Sequence, residues 1–500
     1  MDFPTSVKVA DLNQEHPEYT LMRETWENLE ALRAGGPAVK ARAINLLKQM
    51  PNEVDDVYQY RLSQMKYEPV LGYVAGWYAT AVHEKDRTVT LPQNEEFWAE
   101  FPSDVTRHGE AKSADDFLKE RLADLIYCGV TYVMVDFPDG DAESEPRSLA
   151  DQQAAGTDRA YWVPYGATDV INWQESEDGS GLEWAVIRCR EVKTEPMKKP
   201  VESTKWYIVD RKQVAEYRSS GESKEAEARL EEGYPRAHRL SQAAGGTGVA
   251  PLLRLTEPEN WFGKRVYDLV IAHLNAGSNL DFAIDRANHC VPVFTGDGVE
   301  NLIKPRGPVG SISLPAGATA AYLEPSGKTF DISEARLARL KQEIYRLMGL
   351  VAMSRDTSAT AASASGVSKE QDMAPSNPLR QSFANRLAKF YERLLRTTAT
   401  SRRENEASIT VVPPHYEDMA DATAVIDQAE RVQGLHLPSA TLDRQLAKKV
   451  ALAVLPGADP AIADAIKQEI DSAPSAEQRA AERMKQLQGR MENSISALSQ

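Results

Sequence analysis

The stretch that decides the fold reads ISEARLARLKQEIYRLMGLVAMSRDTSATAASASGVSK over residues 332–369. Its first part predicts a helix that ends near Gly349, because apolar residues recur at helical spacing. These residues are Ile332, Leu337, Leu340, Ile344 and Leu347. Asp331 or Ser333 is the expected N-cap of this helix. Residues 354–368 are then small, polar and low in complexity, which is typical of a loop.

A second long helix precedes this stretch. Pro258 marks its start, and a mixed apolar face continues to about Arg286, which corresponds to about 43 Å of helix at 1.5 Å per residue. Residues 288–330 then switch to Pro, Gly and short β-like segments. The β-like segments are Val291–Thr295, Ser311–Leu314 and Ala320–Leu323. The pattern therefore predicts a small β-containing module inserted between two long helices.

The rest of the second half is mainly helical. Helix is predicted again from about Lys369 to Leu394, although Pro375 and Pro378 should delay or kink it. Ser408–Val412 has the composition of a strand, and residues 417–500 are helical in pattern, rich in Ala and acidic.

The first half predicts an α+β body. About one hundred residues of helical pattern, broken at Gly35-Gly36-Pro37, are followed by an amphipathic helix at Phe117–Tyr127 that Gly129 ends. Short strand candidates then follow between clusters of Gly, Asp, Ser and Pro. They are Val130–Asp136, Tyr161–Tyr165, Val170–Trp173, Glu183–Arg190, Lys205–Asp210 and Gln213–Arg218, and residues 241–250 read as a loop. Helices first and strands after indicate a mainly antiparallel sheet.

Composition narrows the class of protein. With 500 residues, 42% hydrophobic and 26% charged, the chain has the balance of a soluble globular protein. We expect it to be neither secreted nor embedded in a membrane, because no basic N-terminus precedes an apolar core and no apolar run approaches the roughly 18 residues of a span. Cys128, Cys189 and Cys290 form no CxxC pair, which indicates a reducing cytoplasm without a disulfide framework or zinc site.

The charge is uneven. The formal net charge is −16, whereas residues 331–403 alone carry 13 Lys and Arg against 7 Asp and Glu. Tight, static binding of nucleic acid depends on many cations displacing counterions, so this balance argues against it. An acidic body with one locally basic segment is compatible with a protein that touches DNA without gripping it, or simply with a soluble protein.

No motif nominates a catalytic, metal or cofactor site. Ser326-Gly327-Lys328-Thr329 resembles the end of a phosphate-binding loop, but Tyr322 stands where the first Gly is needed, and we expect a plain turn before a helix. Gly246-Thr247-Gly248 and Gly296-Asp297-Gly298 lack the third Gly of a dinucleotide fingerprint. The sequence also has no GxSxG elbow and no paired histidines at zinc spacing. A 500-residue chain with this organisation and no catalytic constellation suggests a part of an assembly.

Taken in order, these elements resemble the portal proteins of tailed bacteriophages. The likeness covers most of the chain as an order of elements, and its motifs are degenerate and specific only in combination. The matching segments are His16–Tyr19, Phe117–Lys119, Tyr132–Pro138, Tyr267–Asn275, Ile344–Gly349, Ala364–Lys369 and Val432–Thr441. The segment Ser365-Gly366-Val367-Ser368 is similar to the SGVA-like signature of that family, with Ser368 in place of the commoner Ala.

The resemblance implies a portal-type subunit map. The α/β wing comprises 1–256 and 366–416, the two stem helices 257–287 and 331–350, the clip 288–330, the tunnel loop 351–365 and the helical crown 417–500. It also implies a non-enzymatic ring without cofactors, usually of twelve copies, at one capsid vertex of the virion after assembly in the host cytoplasm. Its implied partners are viral double-stranded DNA, the terminase large subunit, major capsid and scaffolding proteins, and head–tail adaptor or tail proteins.

Residues that would face DNA follow from this map. Twelve copies carry a formal charge of −192, and a mainly acidic wall would keep a duplex mobile, with a few basic residues making weak phosphate contacts. The candidates are Arg355 in the tunnel loop, Lys264, Arg265, Arg336 and Arg339 in the stem, and Lys304 and Arg306 in the clip. Pairing with Asp and Glu of a neighbouring subunit is an equally open role for the stem residues.

The predicted tunnel loop has small side chains. Twelve loops that crowd a constriction need short side chains and backbone freedom, and a surface linker is the alternative. The polar and small residues of the loop are Ser354, Asp356, Thr357, Ser358, Thr360, Ser363, Ser365 and Gly366.

Other classes remain as alternatives. A cytoplasmic α+β enzyme would require a pocket with convergent polar groups, which the sequence does not advertise. Head–tail adaptors are generally shorter, and scaffolding proteins usually lack the β-rich middle. A terminase motor would need an intact phosphate-binding loop.

Overall fold

The computed structural model of the chain describes residues 2–92, 96–107, 111–138, 159–219, 223, 225–243, 249–257, 261–288, 291–296, 317, 319–323, 328–350, 376–416, 422–435, 439–454 and 460–472. The chain forms two compact units, Met1–Asp356 with Pro378–His415, and Thr357–Asn377 with Tyr416–Gln500. The combination of helices with antiparallel sheets confirms the predicted α+β class. Among the helices described, none is both long and apolar enough to cross a membrane.

The first hundred residues are mostly helical, as their spacing predicts. The helices are α1 (Val9–Leu12), α2 (Pro17–Ala34), α3 (Gly36–Ala41), α4 (Ala43–Leu46), α5 (Asp55–Gln64), α6 (Val70–Ala81) and α7 (Glu96–Glu100). The predicted break is confirmed at Gly35, which lies between α2 and α3 with a positive φ of 67°. Glycine adopts that conformation without the steric cost that a side chain would add.

A helix and a buried strand form the centre of this unit. Helix α8 (Ala114–Cys128) begins at Ser113, whose hydroxyl accepts a hydrogen bond from the Asp116 backbone N–H at 3.1 Å. It ends at Gly129, in the left-handed conformation with φ 72°, so the predicted stop is confirmed. Six of the seven residues of the following strand, Val130–Asp136, are buried.

The strands form two larger sheets and two pairs. In chain order they are β1 (Ser6–Lys8), β2 (Thr88–Thr90), β3 (Val130–Asp136), β4 (Tyr161–Tyr165), β5 (Val170–Glu175), β6 (Leu182–Lys193), β7 (Val201–Asp210), β8 (Gln213–Ser219), β9 (Glu227–Leu230), β10 (Arg236–Ala237), β11 (Leu252–Thr256), β12 (Val291–Thr295), β13 (Thr319–Leu323) and β14 (Thr410–Val412). The main sheet has the order β1-β9-β8-β7-β6-β5, with β10 beside β8. A smaller sheet has the order β11-β3-β4, and β12-β13 and β14-β2 form two-stranded ladders.

All these ladders are antiparallel, as predicted. The sequence pattern did not reveal the short strands β1, β2, β9 and β10, nor β11. The predicted loop at 241–250 is wrong at its start, where α9 (Arg239–Ala243) continues the chain as helix.

The His16–Tyr19 segment fastens α2 to the main sheet. His16 Nδ1 accepts the Glu18 backbone N–H at 3.2 Å, and its ring stacks on Trp173 of β5 at 4.0 Å between centroids. The Tyr19 hydroxyl donates to the Thr168 carbonyl oxygen at 3.0 Å, just before β5. The segment therefore caps a helix and fixes its direction against a strand.

Two long helices flank the β12-β13 hairpin, as predicted. They are α10 (Phe262–Asn288) and α11 (Lys328–Leu347). The predicted N-cap at Asp331 or Ser333 is wrong, because α11 begins three residues before Asp331. The Ser333 hydroxyl instead donates to the Thr329 carbonyl oxygen at 2.9 Å, a bond formed inside the helix to the residue four positions earlier. Pro258 and the predicted strand Ser311–Leu314 lie outside the described residues.

Helix α12 (Asn377–Ser401) completes the first unit. Pro378 stands in its first turn, where a missing N–H costs nothing. Lys369 to Pro375, where the helix was predicted to begin, lie outside the described residues, so the predicted delay stays a prediction. The Tyr78 ring of α6 lies 5.5 Å from the rings of both Phe262 and Phe383, and the latter two are 5.6 Å apart. The Tyr78 hydroxyl also donates to the Met348 carbonyl oxygen at 2.6 Å. One aromatic cluster thus joins α6, α10, α12 and the end of α11.

The second unit contains three described helices, as the helical pattern after residue 417 predicts. They are α13 (Ala422–Gly434), α14 (Ala440–Val454) and α15 (Pro460–Ser472). Each packs on the next, and Lys448 of α14 forms an ion pair of 2.6 Å with Asp471 of α15. In these helices the buried residues are Val425 and Ala429, among the side chains that the structure describes.

Candidate nucleic-acid interface

The two long helices run antiparallel. Near the start of α10, Arg265 Nη1 lies 3.4 Å from the Leu347 carbonyl oxygen at the end of α11, as a hydrogen bond. Farther along, a Cβ added at Gly277 would lie 3.7 Å from Leu337 Cδ1. Residue numbers therefore rise along α10 while they fall along α11, over about 18 Å of helix at 1.5 Å per residue. We call the end of the pair at Phe262 and Leu347 the inner end, and the end at Asn288 and Lys328 the outer end. The β12-β13 hairpin follows α10 and precedes α11 in the chain, so it lies at the outer end.

Burial is graded along this pair. Val266, Val270 and Leu274 of α10 are at most 2% exposed, and Ile344 near the end of α11 is fully buried. In contrast, no residue from Lys328 to Leu340 is buried, and Ile332 is 68% exposed. The inner ends of both helices are therefore part of the core, whereas the outer half of α11 has little packing within a single chain.

A buried arginine fastens α10 to the N-terminal helices. Arg61 of α5 is 1% exposed, and its Nε and Nη2 donate to the two Glu53 carboxylate oxygens at 2.7 and 2.8 Å. Nη2 also donates to the Lys48 carbonyl oxygen at 2.8 Å, and Nη1 donates to Asn279 Oδ1 of α10 at 2.6 Å. The guanidinium thus bridges α5, the loop before it and α10. Such bidentate, charge-assisted hydrogen bonds are geometrically demanding.

The start of α10 fits tightly against the end of α8. Trp261 Nε1 donates to the Tyr127 carbonyl oxygen at 3.0 Å. A Cβ added at Gly263 would lie only 1.9 Å from that same oxygen, and one added at Gly129 would lie 2.4 Å from the Trp261 ring. Two glycines are therefore needed where the helices meet. The sequence pattern identified Gly129 as a helix stop but gave no signal for Gly263.

A buried histidine lies where the two long helices meet α5 and α6. His273 of α10 is 5% exposed, and its Nε2 is 3.6 Å from Glu68 Oε2. Glu68 also forms an ion pair with Lys341 of α11. Burial lowers the pKa of His273, Glu68 opposes this shift, and Lys341 adds to it. The imidazole is therefore neutral at neutral pH. The ion pair between Glu68 and Lys341 joins the connection between α5 and α6 to α11.

The predicted DNA-facing cations fall into two described groups. Lys264 and Arg265 are exposed at the start of α10, where their charged ends lie 5.4 and 5.3 Å from the centroids of the Trp261 and Phe262 rings. Arg336 and Arg339 are exposed on one face of α11, because residues three apart are neighbours on a helix. The structure does not bring the two groups together, since Lys264 and Arg265 lie beside the end of α11, whereas Arg336 and Arg339 lie near its middle, close to the level of Gly277.

The other candidates lie outside the described residues. These are Arg355, Lys304, Arg306 and the tunnel-loop residues Ser354, Asp356, Thr357, Ser358, Thr360, Ser363, Ser365 and Gly366. Their roles stay predictions.

The described part of the chain does not supply a competing metal site. Within it, no group of three or more His, Cys, Asp and Glu side chains could hold a metal ion. Lys328 and Thr329 of the phosphate-loop-like segment are the first two residues of α11 and not part of the turn that was predicted before the helix. The rest of that segment and the Gly246–Gly248 segment lie outside the described residues.

The chain is similar to chains in solved structures of gene transfer agent (GTA) particles. The first is in the neck of an empty GTA particle computed with C6 symmetry. Its identity to this chain is 11% and the TM-score is 0.38, and the match covers 78% of this chain and 90% of the other. The second, the virion of a native particle, has 12% identity, a TM-score of 0.38 and covers 84% and 99%. The third, the neck of a native particle computed with C12 symmetry, has 12% identity, a TM-score of 0.37 and covers 77% and 90%.

These TM-scores are below 0.5, so the likeness supports no conclusion about this chain's activity or partners. No family of known proteins and no curated relative matches the sequence.

Proposed function

We propose that this chain is a portal subunit that assembles into a ring around double-stranded DNA. The observation that carries the proposal is the antiparallel pair α10–α11, which projects a β-hairpin and is fastened to an α+β body by the Arg61 network. The resemblance of the sequence supports the same interpretation of these helices as the stem and of the hairpin as part of the clip. The outer half of α11, with exposed Ile332, has the surface that a neighbouring copy would cover.

Charge supports passage of DNA rather than tight binding. The chain is acidic overall, and the exposed Arg336 and Arg339 are among the few cations that the stem would present. Sparse cations make weak, salt-sensitive phosphate contacts, whereas a continuous basic wall would hold the duplex in place. Arg355, Lys304 and Arg306 remain proposed contacts at the tunnel loop and clip.

The proposed role has no enzymatic step and no cofactor. The ring would sit at one capsid vertex of the virion, after assembly in the host cytoplasm. It would receive the terminase large subunit during packaging and an adaptor or tail protein afterwards, and would contact major capsid and scaffolding proteins. The crown would be residues 417–500, which include α13, α14 and α15 of the second unit.

The decisive experiment is the assembly state. We expect the purified chain to form closed rings with a central hole in negative-stain images. Twelve copies of the 55.3 kDa chain would give a mass of about 660 kDa by light scattering. Co-expression with the capsid proteins is the second condition, because some rings close only with their partners. A chain that stays monomeric in both conditions and never forms an annulus would rule the proposal out.

The arginines of α11 can be tested on the assembled ring. We expect the double variant Arg336→Gln, Arg339→Gln to bind linear duplex DNA more weakly, with a slope of log K against log salt reduced by about 1 or more, because each lost phosphate contact removes about 0.9. Fluorescence anisotropy across a salt series measures both quantities. Lys198→Gln is the control, since Lys198 is an exposed lysine in the β6–β7 connection, paired with Glu195.

Two other results would assign the arginines differently. If the double variant binds DNA with the wild-type salt slope, Arg336 and Arg339 do not contact phosphate. If the variant no longer forms rings while its fold is intact, the two side chains pair with acidic residues of a neighbouring subunit instead.

A further inference from the structure

A cavity of about 420 Å³ lies in the α+β body, away from the two long helices. Helix α2 contributes Glu30 and Arg33, helix α8 contributes Arg121 and Asp124, and Gly166 follows β4. The volume is far larger than the roughly 30 Å³ of one water molecule, so it has room for a small solute. Neither the portal resemblance nor the motifs of the sequence assigns a role to it.

Two guanidinium groups share one carboxylate in this cavity. Arg33 Nη1 donates to Asp124 Oδ1, and Arg121 Nε lies 2.9 Å from Asp124 Oδ2. The Thr131 hydroxyl also donates to Oδ2 at 3.3 Å. Because both arginines stay protonated near neutral pH, they balance the two carboxylates that line the cavity, Asp124 and Glu30, and a proton taken up by Glu30 would leave one net positive charge.

Arg121 is buried but incompletely bonded. Its side chain is 8% exposed, and burial lowers its pKa to about 10. Its Nε is buried and makes no hydrogen bond within the described residues, although it forms the 2.9 Å ion pair with Asp124 Oδ2. Nη2 lies 3.7 Å from Glu120 Oε2, which is beyond hydrogen-bond distance. A buried N–H group without a hydrogen bond costs free energy, and an anionic acceptor in the cavity would offset that cost.

The other residues that line the cavity are suited to binding a ligand and not to catalysis. The Cys128 thiol lines the cavity, and burial raises its pKa well above the usual range, so it is not a thiolate nucleophile at neutral pH. The Glu30 carboxylate accepts the Thr168 hydroxyl at 2.8 Å, and burial raises its pKa as well. When Glu30 takes up a proton, the cavity becomes more positive, and the protonated carboxyl can donate to a bound oxygen.

We propose that this cavity binds a small oxyanion, a phosphate or a carboxylate, beside Asp124, on the N–H groups of Arg33 and Arg121 that do not face the Asp124 carboxylate. Arginine is suited to this task because its planar donors match two oxygens of phosphate or carboxylate at once. The site does not depend on the proposed ring, since all its residues come from one chain.

The test is thermal unfolding of the full chain followed by tryptophan fluorescence. All eight tryptophans lie in the first unit, so the signal reports the body that contains the cavity. We expect inorganic phosphate or succinate to raise the melting temperature in a saturable way, and potassium chloride at equal ionic strength not to do so. The salt that acts identifies the class of ligand.

Variants separate the site from general salt effects. Arg121→Gln should raise the concentration of salt that gives half of the saturable shift at least tenfold. The reason is that the variant loses the charge-assisted hydrogen bonds from the guanidinium group. Arg33→Gln, at a more exposed position, tests the same site if Arg121→Gln does not fold. Arg211→Gln is the control, because that arginine pairs with Glu183 in another part of the unit. Equal responses to phosphate, succinate and chloride, or a wild-type response in both cavity variants, would overturn the proposal, whatever the assembly state of the protein.

Discussion

Replacing Arg61 with Ala should lower the free energy of unfolding of the first unit by about 3 to 5 kcal/mol, the usual cost of breaking a buried ion pair from one side. Glu53, whose side chain is 6% exposed, would keep a buried charge without its bidentate partner. The Lys48 carbonyl oxygen and Asn279 Oδ1 would each lose a donor as well. Urea denaturation followed by tryptophan fluorescence measures the change, because all eight tryptophans lie in this unit.

The control is an ion pair of similar geometry on the surface. Arg346 Nη2 lies 2.6 Å from Glu343 Oε1, but the two side chains are 60% and 40% exposed. Arg346→Ala should therefore leave the free energy of unfolding nearly unchanged, because solvent screens an exposed ion pair. The double variant Arg61→Ala, Glu53→Gln should recover part of the loss, because no unpaired charge remains buried. If Arg61→Ala costs no more than Arg346→Ala, the Arg61 network does not fasten the helix pair.

The pH dependence follows from the same contact. The hydrogen bond from Arg61 holds the pKa of Glu53 below its usual range. A carboxyl group with a depressed pKa stabilises the fold above the unfolded value and loses that contribution as the pH falls through the folded value. This contribution should disappear in Arg61→Ala, so the stability difference between wild type and variant should shrink in acid.

The sequence predicts what depends on local pattern. Amphipathic spacing found α8, α10 and α11, and β-branched runs found β3 and β12. Strand β2 was not predicted, because it forms by pairing with β14, which is more than three hundred residues away in the sequence. The N-cap of α11 was placed too late, since Lys328, Thr329 and Phe330 are all compatible with helix.

In the candidate sites, too, the sequence predicts what depends on local pattern and misses what depends on tertiary packing. Exposure of Arg336 and Arg339 follows from the helical pattern of α11. The burial of Arg61 does not, because its partners Lys48, Glu53 and Asn279 come together only when α5 packs on α10. Likewise, the cavity joins α2, α8 and the turn after β4, and no sequence window contains more than one of them. Tertiary contacts decide where charged residues are buried.

Gly263→Ala should destabilise the first unit by about 3 kcal/mol, although alanine is the better helix former. The added Cβ would lie 1.9 Å from the Tyr127 carbonyl oxygen and 2.8 Å from its carbonyl carbon, which are backbone atoms and cannot rotate away. Helix α10 would have to move from the end of α8 and stretch the hydrogen bond from Trp261 Nε1 to that oxygen. Its inner end would then leave the aromatic cluster around Phe262. Urea denaturation measures the loss.

Gly277→Ala in the same helix is the matched control. Its Cβ would lie 3.7 Å from Leu337 Cδ1, an ordinary van der Waals contact. Only the helix preference of alanine then remains, and it should stabilise the unit by roughly 0.5 to 1 kcal/mol. The same substitution at two positions of one helix is thus expected to change the free energy of unfolding in opposite directions. The reason is that Gly263 lies against the backbone of α8, whereas Gly277 does not lie against another backbone. A Gly263→Ala protein as stable as the wild type would mean that α10 does not approach α8 this closely.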